Sequence, residues 1–550
     1  MGGGGSRREA VKALAVCAVW IWGAVAGAGV AAADPSSGPS IHGEYSLIGA
    51  LHWTGGSGDK TLIQKGQFLT NELKLQASQP LGPEWTLDAD VRVRKTNDPQ
   101  IDHQPGVHVL GATVELYNPF LRITGGDFYG DFTPYTLTQA LEGLQVAFKN
   151  ERWEIKGVAA RSRRHDEGRY FERYVFGGRA EAKVIDRYGP LQDVSVGGNF
   201  SDVEDDAASI DNRTGVVDFS NRVGSANLHA LLWEKSDWEA EFAKSWEGAD
   251  TPTAEHVDRK TGAAVRVNGV TRFSNLTRLS TGYEWVSAGF DTLAGSSVPD
   301  RVQFTNRLNH KLSPELSLEA GYRIQYDKLE ESELVKRTVT QSPRVALSWQ
   351  PAAQEWLLKD YEARAFWEMR GRMSQDDPTG QTDFTTNDVG IDQSFKIAAF
   401  FMDSGWTYRI EDDDLILVNR RTGHSGYSGL RTRTEWFGAQ ATPSLRYQFD
   451  FQDIPKEGGS DFIQSVSAGL DLQFSPGLRV DQRYSVSAAN LMVEETDSVR
   501  FTSHVGLDYK LPYQEDLWFK LSYDTNDLAH TVSTQRYSEQ NLQGQLLWKF

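Results

Sequence analysis

Long stretches of this chain alternate apolar and polar residues with a period of two. The run from Leu316 to Asp327 and the run from Leu445 to Gln452 place an aliphatic or aromatic residue at every second position. The final run, from Leu542 to Phe550, follows the same alternation with Gly544 on its apolar side, and only Leu547 breaks its polar side. This period turns one face of a β-strand to an apolar medium and the other to water. The sequence therefore predicts an all-β protein.

The number of alternating runs sets the size of the predicted sheet. From Ile41 to Phe550 they amount to about 24 to 26 strands, separated by Gly and Pro turns such as Asn118-Pro119. A membrane-spanning strand uses about 10 residues, so the connections take the remaining length and no further domain fits. We therefore expect a single transmembrane antiparallel β-barrel of about 24–26 strands over 41–550, with no N-terminal plug.

The last strand carries a family resemblance. Gly544 and Trp548 lie on its apolar face, and Phe550 is the final residue of the sequence. A closing strand with a terminal aromatic residue resembles those of bacterial outer-membrane β-barrels. The resemblance implies that the barrel-assembly machinery reads Gly544, Trp548 and Phe550 as an assembly signal. It also implies surrounding outer-membrane lipids and lipopolysaccharide, and a place in the Gram-negative outer membrane.

The N-terminus predicts export. Arg7, Arg8 and Lys12 precede an apolar stretch from about Ala13 to Val30, and a small-residue cleavage site ends at Ala33. We expect a cleaved signal peptide at 1–33 and a short periplasmic lead at 34–40. A twin-arginine signal is less favoured, because such export carries folded cargo and a barrel must cross unfolded.

Composition excludes several functions. The net charge is −18, and acidic clusters such as Glu204-Asp205-Asp206 and Glu411 to Asp414 are expected between strands, which argues against nucleic acid as a partner. Cys17 is the only cysteine and lies in the predicted signal peptide, so we expect no disulfide, iron–sulfur cluster or covalent haem. No cofactor is predicted.

An enzyme is not expected either. The 11 histidines are scattered, and pairs such as Asp102-His103 and His165-Asp166 place neighbouring side chains on opposite faces of a strand. No His/Glu/Asp spacing matches a metal motif.

Charged residues on the polar faces of the strands are predicted to line the lumen. On neighbouring strands they form ion pairs that stiffen the wall or guide a solute, and both hypotheses stay open. The predicted lumen-lining residues are Arg92, Arg94, Glu319, Arg323, Glu362, Arg364, Glu368, Arg370, Arg446, Asp450, Arg479, Asp481 and Arg483. Leu318, Tyr322, Leu470, Leu472 and Trp548 are predicted to face lipid.

One segment, rich in Gly and aromatic residues, interrupts the alternation. It follows a predicted strand from Phe120 to Thr124 and is interpreted either as a constriction folded into the lumen or as an ordinary loop at the rim. The predicted constriction residues are Gly125, Gly126, Asp127, Phe128, Tyr129, Asp131, Phe132 and Pro134.

The predicted width favours two classes of function. A barrel of 16 to 18 strands already encloses an aqueous channel, so a wider one leaks unless loops or a partner narrow it. The first hypothesis is a pore or conduit for solutes or polymers, gated by its own loops or by a partner. The alternative is a scaffold barrel sheathing a protein in its lumen, such as a multihaem electron-transfer cytochrome or a surface lipoprotein.

Overall fold

The computed structural model describes residues 38–550 except for short internal gaps. The gaps are 58–60, 62, 103–105, 163–171, 207–208, 210–217, 251–259, 330–336, 352–357, 375–382, 414–418, 455–458, 493–495, 513 and 515. The predicted signal peptide at 1–33 and most of the predicted lead at 34–40 lie outside the described residues.

Strands make up almost all of the described chain, and residues Ser533–Gln535 form a short 3-10 turn. The strands are β1 Ser40–Gly56, β2 Gly66–Leu81, β3 Trp85–Thr96, β4 Gly106–Tyr117, β5 Leu121–Asp131, β6 Thr138–Lys149, β7 Trp153–Ser162, β8 Glu172–Tyr188, β9 Leu191–Asp206, β10 Asp218–Leu232, β11 Ser236–Asp250, β12 Thr261–Ser274, β13 Thr277–Val286, β14 Arg301–Lys311, β15 Leu316–Asp327, β16 Thr338–Trp349, β17 Leu358–Ser374, β18 Phe384–Ile397, β19 Phe400–Asp413, β20 Asn419–Thr432, β21 Thr434–Trp436, β22 Ala439–Ile454, β23 Gly459–Ser475, β24 Leu478–Leu491, β25 Thr496–Lys510, β26 Leu517–His530 and β27 Tyr537–Lys549.

Each strand pairs antiparallel with its neighbour in sequence, and β1 also pairs with β27 over 44–56 and 537–549. The short β21 continues β20 beyond Arg433, since both pair with β22. The 27 segments therefore form a closed antiparallel barrel of 26 strands. The predicted fold class and strand number are confirmed.

The two rims of the barrel differ in the length of their connections. On the rim where β1 begins and β27 ends, most turns have two to four residues, as at 189–190 and 476–477. On the opposite rim most connections are longer and reach 14 residues between β13 and β14, at 287–300. Outer-membrane barrels have short periplasmic turns and long extracellular loops. We call these the short-turn rim and the long-loop rim.

The two faces of the wall have opposite chemistry. The register carries alternate residues of every strand to a common outer face, where large apolar side chains such as Phe242, Leu445 and Val345 are 53%, 51% and 41% exposed. The inner face carries most of the charged and polar residues. An exposed apolar outside around a polar inside is the arrangement of a barrel in lipid, so the protein is a transmembrane β-barrel of the outer-membrane type. No helix in the part of the chain that the structure describes could span a membrane.

Three strand ends differ from the sequence-based expectation. Glu204 to Asp206 are the last residues of β9, and Glu411 to Asp413 are the last residues of β19, so these acidic clusters end strands at the long-loop rim rather than lying between strands. Asp414 lies outside the described residues. The strand predicted to end at Thr124 continues to Asp131 in β5.

Candidate functional site

The connection between β5 and β6 folds into the lumen. Phe132, Tyr135 and Leu137 are at most 4% exposed, although the connection sits at the rim of a hollow barrel. Phe132 and Leu137 pack in a cluster against inner-face residues of β7, β8 and β9, which include Val175 and Val203. Burying these side chains removes apolar surface from the water of the lumen and so holds the connection against the wall.

A second connection meets it from the other side. Phe290, in the 287–300 connection, is fully buried, and its ring stands edge-on to that of Tyr135 at 5.5 Å between centroids. Around these rings, Val223, Ala243, Ala264 and Val286 complete a second apolar cluster on the inner face of β10 to β13. We call the two connections, 132–137 and 287–300, the inward loops.

Backbone hydrogen bonds join the inward loops to each other. The Thr138 N–H donates to the Ala294 carbonyl at 2.8 Å, and the Ser296 N–H donates to the Pro134 carbonyl at 2.8 Å. Two apolar clusters and these bonds therefore make one packed layer across β6 to β13.

Charged and amide side chains of the wall anchor this layer. Arg179 donates to the Phe132 carbonyl at 2.7 Å, and Arg173 donates to the Leu293 carbonyl at 2.9 Å. Arg173 is itself paired with Asp205 at 2.6 Å, with both side chains almost buried. Asn221 donates to the Asp291 carbonyl at 3.1 Å and accepts from the Leu293 N–H at 3.2 Å. Loop carbonyls that would otherwise be buried without partners are thus satisfied from the wall.

Tyr135 adds a polar contact within the second cluster. Its hydroxyl donates to Glu284 at 3.2 Å, and Glu284 is also paired with Arg301 at 2.7 Å. Burial and the neighbouring Glu284 carboxylate raise the pKa of the Tyr135 hydroxyl above its ordinary value. The Tyr135 hydroxyl therefore stays protonated and neutral within the second apolar cluster.

The predicted constriction residues divide between the wall and the first inward loop. Gly125 to Asp131 belong to β5 and pair with β6, so they are strand residues rather than a loop. Phe128 packs against the first apolar cluster, whereas Tyr129 points the other way and is 62% exposed. Phe132 and Pro134 lie in the inward loop itself.

The predicted lumen-lining residues share the inner face with the apolar clusters. On β14 to β17, the Glu319 carboxylate pairs with Arg307 at 3.2 Å and with Arg364 at 3.8 Å, and Arg370 pairs with Glu368 at 2.9 Å. Glu362 lies on the same side of β17. Arg307 and Glu319 join the neighbouring strands β14 and β15, Arg364 reaches Glu319 across β16, and Arg370 and Glu368 pair within β17. Together these contacts form an ion-pair ladder along one face.

The other predicted lumen-lining residues also make polar contacts on the inner face. Arg92 and Arg94 both reach Glu72, at 3.8 and 3.3 Å. Arg323 donates to Gln303 at 2.8 Å. The remaining contacts are Arg446 with Asp403 at 3.4 Å, Arg446 over the Tyr427 ring at 4.5 Å, Asp450 with Gln452 at 3.2 Å, Arg483 with Asp481 at 3.9 Å, and Arg479 with Asp471. Among the described residues, no group of three metal-ligating side chains forms.

The residues of the predicted assembly signal lie at the closing seam. Phe550 exchanges two backbone hydrogen bonds with Gly43, at 2.7 and 2.9 Å, and its ring contacts Trp548 at 4.6 Å between centroids. A Cβ atom at Gly43 would overlap the Phe550 ring, so the ring lies directly over this glycine. Gly544 pairs with Gly49 of β1.

Sequence reasoning missed the second inward loop. The 14 residues of 287–300 contain only two charged residues, Asp291 and Asp300, with Phe290 among small residues. The available signal was a 14-residue connection with so few charged residues and a large aromatic residue within it.

No protein-family model matches the sequence, and the curated proteins give no significant match. Solved structures do give matches. The P pilus usher (PapC) translocation pore is 10% identical with a TM-score of 0.41, covering 92% of this chain and 99% of the usher chain. The siderophore receptor PirA from Pseudomonas aeruginosa is 9% identical with a TM-score of 0.40, covering 93% and 80%. OccAB4 from Acinetobacter baumannii is 10% identical with a TM-score of 0.28, covering 94% and 100%.

These values do not separate one class of barrel from another. The features that bear on function are therefore those of the chain itself: the closed wall, the inward loops and the charged inner face.

Proposed function

We propose that the protein is a channel of the Gram-negative outer membrane that conducts hydrophilic solutes or polymers and is narrowed by its own inward loops. Its surroundings are membrane lipid and lipopolysaccharide, and the barrel-assembly machinery inserts it through the strand that carries Gly544, Trp548 and Phe550. It is not an enzyme, and it needs no cofactor for passive conduction.

The asymmetry of the inner face carries this proposal. The inward loops cover β6 to β13 with apolar clusters, whereas the inner faces of β14 to β27 and of β2 and β3 keep charged pairs that are open to the lumen. Water and polar solutes are stabilised along this charged part of the wall. The conducting path therefore runs beside β14 to β27 and on to β3, and the packed layer sets its width on the other side.

The alternative is a barrel that sheathes a partner protein. A sheath needs a lumen left free for its occupant, and here the chain itself fills part of that space with loops that Arg173, Arg179 and Asn221 hold in place. This favours a self-narrowed channel. Ladders such as Arg307–Glu319–Arg364 then serve both to stiffen the wall and to guide the solute.

Single-channel conductance in a planar bilayer tests the proposal. In the test variant an Asn-Gly turn replaces 132–137, because Asp131 and Thr138 are already paired and two residues suffice for a hairpin. The matched control replaces 531–536, another six-residue connection on the same rim, whose residues are all exposed. The test variant should conduct more than the parent protein, and the control should conduct like the parent.

Equal conductance of all three proteins would contradict a self-narrowed channel. A stoichiometric protein partner that co-purifies with the barrel and abolishes its conductance would establish the sheath instead.

A further inference from the structure

The seam between β4 and β5 is closed over only part of its length. Five residue pairs join the two strands, Thr113–Tyr117 with 122–126, whereas the next shortest full seams, β6–β7 and β7–β8, have nine. Beyond this point β4 runs on to Gly106 without a ladder partner on β5. The tip of the β5–β6 hairpin, from Asp127 to Ala140, stays paired within itself and turns inward toward the first apolar cluster.

Gly126 is the point where the strands separate. It has a φ of 97°, and a Cβ atom there would overlap the Ala112 carbonyl. Asp127 accepts from the Ala112 N–H at 2.7 Å, and Thr113 donates to the Asp127 carbonyl at 2.6 Å. These side-chain hydrogen bonds replace the backbone ladder where β4 and β5 separate. The separation therefore depends on Gly126, Asp127 and Thr113.

The part of β4 that does not pair with β5, residues 106–112, is also unsuited to adding another strand. The register with β3 shifts between Arg92 and Val93, which leaves Leu110 as an extra residue in a bulge. Bulges and capped groups at an edge are devices that oppose pairing with a further chain. This edge of β4 is therefore better suited to border a passage than to bind another β-strand.

The opening lies within the depth of the membrane. Five residues of a strand tilted by about 40° rise ~13 Å, about half of the ~25 Å apolar band of such barrels. The opening therefore starts near the middle of the apolar band. It extends from there toward the long-loop rim. Val107 and Val109, 61% and 41% exposed, flank it on β4, and Tyr129 lies on its other side.

A polar row lies at the base of this opening. Asp127, Glu142 and Arg161 are register partners on the outward face, and Arg161 pairs with Glu142 at 2.9 Å. Phe148, which stacks on Trp153 at 4.6 Å near the short-turn rim, lies six residues after Glu142 on β6. That spacing puts the row ~15 Å above this aromatic contact, still inside the apolar band. Charged groups at this depth are stable only where water or polar head groups reach them.

We propose that this opening is a lateral slot, through which the polar head of an amphiphile passes between the lumen and the outer half of the bilayer while its acyl chain stays in lipid. The polar row at the base accommodates the head group, and Val107 and Val109 contact the chain. The slot thus gives the barrel a second route besides the one along its axis.

Single-cysteine variants test where the slot opens. Because Cys17 is the only native cysteine, Tyr129→Cys in a Cys17→Ser background gives one site for a bimane label. The refolded, labelled protein is placed in phosphatidylcholine vesicles that carry nitroxide-labelled acyl chains. Tyr322→Cys, on the outer face of β15, is the lipid-facing control, and Ser317→Cys, on the inner face of the same strand, is the lumen control.

The label at 129 should lose emission to the acyl-chain nitroxide as the label at 322 does, and far more than the label at 317. Quenching by aqueous iodide alone, with acyl-chain quenching no greater than at 317, would place the opening outside the bilayer and overturn the slot.

Photocrosslinking identifies the occupant. Benzoylphenylalanine at position 129, irradiated in whole outer membranes, should form an adduct whose mass increase equals that of a lipid. An adduct with a protein would overturn the proposal in favour of a strand or loop partner. This readout does not depend on conduction along the axis, so the slot and the proposed channel stand or fall separately.

Discussion

The backbone conformation of Gly126 determines where pairing between β4 and β5 ends. Its positive φ is readily available only to glycine, and its approach to the Ala112 carbonyl leaves no space for a side chain. The sequence marks this residue only as one of two adjacent glycines. Nothing in the alternation distinguishes it from Gly125, because the distinction arises from contact with β4.

We expect Gly126→Ala to lower the stability of the barrel by about 1–3 kcal/mol, the cost of a side chain in a sparsely populated backbone region. Gly125→Ala is the matched control, since a Cβ atom there meets nothing within 4 Å. Urea unfolding of the refolded barrel, followed by tryptophan fluorescence, measures the difference. Equal midpoints for the two variants would mean that β4 and β5 do not fork at Gly126.

Leu470 and Arg446 test which face of the wall meets lipid. Leu470 lies on the outer face of β23, five residues from the short-turn end and therefore ~13 Å into the apolar band. Arg446 lies on the inner face of β22 beside Asp403. Leu470→Arg should cost about 2–4 kcal/mol and reduce the folded yield, whereas Arg446→Leu leaves Asp403 in water and should fold nearly as well.

The measurement is the heat-modifiable fraction of each variant on a denaturing gel after refolding into vesicles. Similar fractions for both would contradict the assigned faces.

At the scale of strands, alternation predicted the elements whose two faces meet lipid and lumen. β15, β22 and β23 are such strands, and their sequences alternate cleanly. The tip of β5 is not, because it leaves the wall. There the inner residue Phe128 packs in an apolar cluster, and the outer residues Asp127 and Asp131 are acidic. In this segment the inner face is apolar and the outer face is polar, the reverse of β15, β22 and β23. Compared with the alternation typical of the wall strands, this pattern therefore indicates a loop.

The inward position of the two loops was only partly predictable. The Gly- and aromatic-rich segment indicated an interruption of the strand pattern. It fitted a loop at the rim and a constriction in the lumen equally well. The 287–300 loop carries Phe290, whose burial depends on Tyr135, about 150 residues earlier in the sequence. A contact over such a separation leaves no local pattern.

The closing seam provides a prediction at this scale. Phe550→Ala removes the ring that covers Gly43 and should lower the amount of assembled barrel in cells. Phe474→Ala is the control, because Phe474 is an exposed outer-face aromatic near the end of β23 on the same rim. Outer-membrane levels by immunoblot measure the effect. A similar decrease in both variants would assign Phe550 to the aromatic girdle alone rather than to assembly.

For the whole molecule, charge predicts the selectivity of conduction. The chain has 75 acidic and 57 basic residues, and acidic clusters end β9 and β19 at the long-loop rim. Carboxylates around a pore concentrate cations. The channel should therefore prefer potassium to chloride at neutral pH, as measured by the reversal potential in a KCl gradient.

Two conditions control this prediction. Raising the salt to about 1 M shortens the screening length to about 3 Å and should weaken the preference. Lowering the pH below about 4 protonates ordinary carboxylates and should weaken it as well. A reversal potential of the opposite sign at neutral pH would contradict the prediction.

The pairing of β1 with β27 has a consequence for how the barrel forms. Every other seam joins strands that are neighbours in sequence, but this one joins Glu44 to Lys549. Closing a loop of about 500 residues rather than about 10 costs roughly 3 kcal/mol more in chain entropy. Until β27 is in place, β1 and the growing end of the sheet both present free edges, which invite association with other chains. Pairing of β1 with β27 is therefore the slow, long-range step of folding. A chain that lacks β27 forms an open sheet with two unpaired edges.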